Sequence, residues 1–130
     1  MKINYAEAAR ALVGARFRPQ GRTDDALDCI GVVLSTFGIA ADAVRRDYRL
    51  RGDFRSEIEQ RLSDYFRAVR SSELRPGDVM LLAAAKDQLH LAIRTQAGFV
   101  HAHAGIGRVV ETPGLPEWPL LGVYRKRRKN

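Results

Sequence analysis

The chain has 130 residues, 45% of them hydrophobic and 28% charged, with a formal net charge of +7. That length and balance suit one soluble domain able to bury a core of its own. A single cysteine excludes an internal disulfide framework and a zinc site built from several thiolates. No stretch approaches the roughly 20 apolar residues of a membrane helix, so membrane insertion is not expected. The N-terminus, Met1 to Glu7, has no apolar run of secretion-signal length, so synthesis and folding in the cytoplasm are expected.

The charge is unevenly placed. Arg125, Lys126, Arg127, Arg128 and Lys129 supply five of the seven net charges, leaving +2 over residues 1–124. The reading is a domain over 1–124 followed by a basic tail over 125–130, solvated or docked to an anionic partner. No zinc-finger spacing, Walker loop or RNA-binding aromatic motif accompanies it, and nucleic acid is not the expected partner.

In chain order, Asn4 and Glu7 resemble a capping box, and Ala8, Ala9, Leu12 and Val13 give the apolar face of a helix ending near Gly14. The segment from Ala15 to Leu27 is a polar loop with Pro19 and Gly21. Asp28 then serves as N-cap of a second helix, apolar nearly all round and therefore buried, which stops at Gly38. Ser56 and Glu59 form another capping box. Behind them Ile58, Leu62, Tyr65, Phe66 and Val69 recur at helical spacing, which predicts a helix over 56–70.

From Arg75-Pro76-Gly77-Asp78 the pattern changes, Pro then Gly fitting the centre of a type II turn. Strands are predicted at Val79–Ala84, Leu89–Thr95, Gly98–His103 and Arg108–Glu111. A fifth follows at Leu121–Arg125, after a loop from Pro113 to Pro119. Helices first and sheet second is the pattern of an α+β domain.

The chemistry-bearing residues are few. Asp28 as N-cap puts Cys29 at the first helical position, where free N–H groups and the helix dipole favour a thiolate and can hold an oxyanion. A buried structural cysteine is the competing reading. Alternation puts His101 and His103 on one face of their strand. A two-residue hairpin loop pairs His90 with His101, and a four-residue loop pairs it with His103. Either gathers three imidazoles on one face, whereas an odd loop without a bulge separates them. The trio also suits a metal, but no carboxylate lies at helpful spacing, so neither metal nor other cofactor is expected.

With these residues in place, the sequence resembles the NlpC-like cysteine peptidases of bacterial cell walls, over roughly Ala8 to Val123. The matching motifs are Gly14 and Phe17 (family members carry Tyr there), Asp28-Cys29-Ile30-Gly31, Arg75-Pro76-Gly77-Asp78, His90-Leu91-Ala92-Ile93 and Phe99-Val100-His101-Ala102. Ile30 stands where Ser is common, and Arg18, Gln20 and Gly21 look like the phage and prophage branch. The resemblance implies a papain-like, circularly rearranged fold, with N-terminal helices packed on a C-terminal antiparallel sheet of about five strands. It implies Cys29 as nucleophile, His90 as general base and acid, and His101 as the group orienting His90, with His103 as fallback. Phe17, Asp28 and His103 are assigned to substrate binding.

The implied activity is hydrolysis of an amide bond in the peptidoglycan stem peptide, between D-glutamate and a diamino acid, through a thiolate–imidazole pair. The implied partners are that peptide and the proteins of a phage tail or tail-like particle, with action in the cell wall or periplasm. A structural tail-hub or adaptor protein retaining the fold, and an amidase or acyl transferase on another substrate, are the alternatives.

Overall fold

A computed structural model describes residues 3–19, 21–23, 26–44 and 52–127. Its helices are α1 (Tyr5–Arg10), α2 (Cys29–Phe37) and α3 (Arg55–Tyr65). Its strands are β1 (Arg16–Phe17), β2 (Arg22–Thr23), β3 (Ala26–Leu27), β4 (Phe66–Val69), β5 (Val79–Ala85), β6 (Gln88–Arg94), β7 (Gly98–His103), β8 (Arg108–Pro113) and β9 (Leu120–Lys126). They join in one nine-stranded sheet of order β2-β3-β1-β8-β7-β6-β5-β9-β4. Every pairing is antiparallel except that of β1 with β3. The chain is thus α+β, with the five expected strands present as β5 to β9. Four short strands extend the sheet at its two ends, three of them from the segment read as a loop. Gln20, Arg128 and Lys129 lie outside the described residues.

Asn4 caps α1 by accepting from the Glu7 N–H at 3.1 Å. The helix stops at Arg10, earlier than its apolar spacing predicts, and Val13 is exposed. The Gly14 amide, at φ 98°, instead donates to Val109 of β8 at 2.9 Å, tying the helix exit to the sheet.

The second helix follows the predicted limits. Asp28 Oδ1 accepts from the Gly31 N–H at 2.7 Å, and Gly38 closes the helix in the left-handed region. All its residues but Ser35 are buried. Gly31 is required by a close approach: a Cβ there would strike the Gly21 carbonyl oxygen, to which Asp28 N–H also donates at 3.2 Å. That contact sets how deeply the first turn of α2 seats.

The third helix departs from its reading at both ends. Phe54, not Ser56, is the N-cap, and it supplies no side-chain bond. A 3-10 turn at Gly52–Phe54 leads in instead. The helix ends at Tyr65, and Phe66–Val69 pairs with β9 in the register Phe66↔Lys126 to Val69↔Val123. Helical spacing and strand pairing both bury Phe66, which packs edge-on to Phe37 at 4.9 Å. The open edge of β9 offers a ladder of backbone bonds and settles the choice as a strand.

At the turn Arg75–Asp78, Asp78 N–H donates to the Arg75 carbonyl at 3.1 Å and Gly77 has φ 96°, as a type II turn requires. Asp78 is 1% exposed and holds Arg125 through two bonds of 2.8 Å. Arg125 and Lys126 therefore belong to β9, and the domain boundary drawn at 124 falls inside a strand.

Two apolar clusters cover the two faces of the sheet. The larger joins Cys29, Val32, Val33, Leu34 and Phe37 of α2 to Leu89, Leu91, Ile93, Val100 and Ala102. The smaller consists of Met80, Leu82, Ala92 and Phe99, with Leu74 and Trp118 against it. No helix among the described residues is long and apolar enough to cross a membrane.

Candidate active site

The β6–β7 hairpin pairs Ile93 with Val100 and Arg94 with Phe99, so its loop is the four-residue alternative, Thr95–Gly98. The Thr95 N–H donates to the Gly98 carbonyl at 2.9 Å, and the Gly98 N–H to Thr95 Oγ1 at 3.0 Å. Thr95 Oγ1 in turn donates to Glu111 at 2.7 Å, anchoring the loop to β8. An even loop preserves strand alternation, so His90, His101 and His103 share the face that carries Phe99 and Trp118.

On that face the imidazoles meet. His90 Nε2 and His101 Nδ1 are 2.9 Å apart, with the rings nearly perpendicular and 5.1 Å between centroids. His101 Nε2 lies 3.2 Å from Thr112 Oγ1 on β8. The His103 ring is 5.6 Å from that of His101, but its Nδ1 accepts from the Ile106 N–H at 3.0 Å within the β7–β8 turn. The ring bonded to His90 is therefore His101. Trp118 stands edge-on to both members of the pair, at 5.4 and 5.9 Å.

The β6–β7 ladder consists of those two residue pairs, and the strands part beyond Ile93 and Val100 towards His90. Cys29 is 5% exposed and packs in the larger apolar cluster with Leu89, Leu91 and Ile93 of β6, where the backbone amides of Leu91, Cys29 and Ile30 favour its charged form. Alternation turns those β6 side chains to the face opposite the one that carries His90 and Trp118.

Burial governs the electrostatics. It pushes the Cys29 thiol up to about 12, the Asp28 carboxylate adds to the rise, and the three amides only partly offset it. The expectation of a lowered thiol pKa is corrected by this structure. A helix N-terminus does favour a thiolate, but here it is enclosed in the larger apolar cluster and its own cap is negative. His90 is lowered to about 4 by burial and by the neighbouring His101 and His103. His101 is lowered to about 4 by burial and by His103. At neutral pH the thiol and this imidazole pair are uncharged.

The residues assigned to substrate binding divide. His103 borders the imidazole pair. Phe17 packs against the larger apolar cluster, and Asp28 uses a carboxylate oxygen as helix cap. Thr112 and Trp118 were not anticipated. Thr112 was accessible in principle, because pairing β7 with β8 across the Ala104–Gly107 turn puts it on the face of His101, opposite Phe99. Trp118 comes from the β8–β9 loop, and no strand period points to it. Among the described residues no three His, Cys, Asp or Glu side chains are arranged to hold a metal ion.

No protein-family model and no curated protein matches the sequence. Solved structures do match the fold. NlpC1 from Trichomonas vaginalis superposes with a TM-score of 0.71 at 14% identity, covering 96% of this chain and 44% of that one. NlpC2 from the same organism gives 0.70 at 16% identity, covering 99% and 49%. The chain thus spans about half the length of either protein, and it has the papain-like fold of these NlpC structures.

Proposed function

We propose that this chain is a cysteine peptidase that cuts an amide bond of the peptidoglycan stem peptide. The observations that carry the reading are a lone thiol at the start of α2, packed against β6, and on that same strand a His90 whose Nε2 is already engaged by His101. That leaves His90 Nδ1 to take the thiol proton. The NlpC fold supports the same reading.

In the proposed reaction the Cys29 sulfur forms a bond to the substrate carbonyl carbon as its proton passes to His90 Nδ1. The carbonyl electron pair moves to oxygen, held by the Cys29 N–H. Collapse breaks the C–N bond, and His90 returns the proton to the departing amine. Water then attacks the thioester with His90 as base, releasing the carboxylate and restoring the thiol. Both groups start neutral, so attack proceeds by general-base transfer and not from a preformed thiolate–imidazolium pair.

The bond proposed is that between D-glutamate and the following diamino acid, which mass spectrometry of released muropeptides tests directly. Delivery by a phage tail or tail-like particle, with action in the cell wall or periplasm, completes the proposal. It is supported by the sequence likeness at Arg18, Gln20 and Gly21, and finding the protein in purified particles would test it. Zymography on purified wall tests the activity: the wild type should clear the gel and Cys29→Ala should not. Clearing by both, or by neither, would leave the second reading, a tail-hub or adaptor protein. The 5% exposure of Cys29 and its raised pKa favour that reading.

A further inference from the structure

We infer that Thr112 is a positioning residue, whose hydroxyl holds His101, and through it His90, in the tautomer that leaves His90 Nδ1 free to accept a proton. The inference rests on the proposed role of His90 as base and extends the site by one residue.

The argument is one of proton count along a row of three groups. His90 Nε2 and His101 Nδ1 are 2.9 Å apart, so one of them carries the hydrogen and the other accepts it. For His90 Nδ1 to be bare, its hydrogen must be on Nε2 and point at His101. His101 Nδ1 must then be bare, so its own hydrogen is on Nε2. That N–H needs an acceptor, because His101 is 2% exposed and water does not reach it freely. Among the described residues the partner of this nitrogen is Thr112 Oγ1, at 3.2 Å. The other rings around His101, those of Phe99, His103 and Trp118, give it no hydrogen-bond acceptor.

The reverse arrangement is unproductive. With the hydrogen of His101 on Nδ1, His90 must accept at Nε2 and carry its own hydrogen on Nδ1, where it blocks uptake from the thiol. Removing the hydroxyl strands a buried N–H in the productive arrangement, whereas the reverse leaves only an unbonded ring nitrogen. The balance then moves towards the reverse form. A histidine in the orienting position makes this necessary, because a carboxylate there could only accept, whereas an imidazole can face either way.

The test compares Thr112→Val, which keeps the branched shape, with Thr112→Ser, which keeps the hydroxyl. Thr112→Ala makes the same deletion should valine disturb folding. Nitrogen-15 NMR of the imidazoles reports the tautomers without any substrate. Wild type and Thr112→Ser should show His90 and His101 both protonated at Nε2, and Thr112→Val should move both towards Nδ1. On a stem-peptide substrate Thr112→Val should lose roughly tenfold to a hundredfold in kcat with KM little changed, and Thr112→Ser should regain most of it. Unchanged tautomers in folded Thr112→Val and Thr112→Ala would overturn the inference, whatever their activity. If the wild type hydrolyses no wall peptide yet the tautomers move as stated, the peptidase reading fails while the role of Thr112 in ordering the pair stands.

Discussion

Acidification should destabilise this protein through the His90–His101 pair before its carboxylates take part. Both imidazoles are lowered from 6.5 to about 4, chiefly by burial. The unfolded chain binds protons at these positions as the pH falls through 6.5, whereas the folded chain does not until about 4. Stability from the neutral pair is therefore complete above pH 6.5 and is lost progressively between 6.5 and 4. Moving the first protonation from 6.5 to about 4 corresponds to about 3 kcal/mol, an upper figure because His90 keeps a partly exposed edge. The second proton adds less in this window, since one imidazolium opposes another across a 2.9 Å contact. A loss of this size is a sizeable share of the 5–15 kcal/mol typical of a domain. Urea unfolding from pH 7 to pH 4, on wild type and on a His90→Gln, His101→Gln double variant, isolates the effect. The gap between the two curves should close by about 3 kcal/mol. A gap that stays constant over that range, or imidazole NMR titrations with midpoints near 6.5, would refute the reasoning.

Two further outcomes follow from buried groups. Arg125→Met leaves Asp78, 1% exposed, without its two charged donors and should cost about 3–5 kcal/mol in urea unfolding. Adding Asp78→Asn should recover part of that loss, and equal stability of the single variant and wild type would show that the pair contributes nothing. Cys29 should alkylate slowly with iodoacetamide at pH 7, its rate still rising well above the ordinary thiol pKa of about 8.5. A rate plateau below pH 8 would instead mean that a thiolate exists at rest.

Legibility of the fold varied with how local its causes are. The second helix was readable to the residue because Asp28 and Gly38 carry their end signals in their own chemistry. The hairpin strands were readable from alternation, and the even loop placed the three imidazoles on one face as that alternation requires. The segment Phe66–Val69 was not, because its apolar spacing fits a helix equally well and the deciding partner, β9, is some 60 residues away. The short strands β1 to β3 pair over two residues each, too few to carry a period. In the site, residue types and their order were legible, whereas the charge state of Cys29 was not. A helix start indicates a favourable dipole but gives no measure of how deeply the turn is buried, and here the contact of Gly31 with the Gly21 carbonyl sets that depth.

That depth also bears on how the proposed chemistry is staged. With Cys29 and His101 almost fully buried, separating charge between thiol and imidazole at rest would place two ions in a low-dielectric interior. The surroundings offer limited relief: three backbone amides favour the charged sulfur, yet the Asp28 carboxylate opposes it and the partner of His90 is a neutral ring in place of an anion. A neutral pair is accordingly the lower state until substrate arrives. Attack on a carbonyl changes the balance, because the negative charge then leaves the sulfur for an oxygen that the amide at the start of α2 can bind. The imidazolium forms only as that oxyanion forms, so the electrostatic contribution is made in the transition state and not in the resting enzyme. A site built in this way gives up the reactivity of a free thiolate and gains protection from stray electrophiles and oxidants, which attack thiolates far faster than buried thiols.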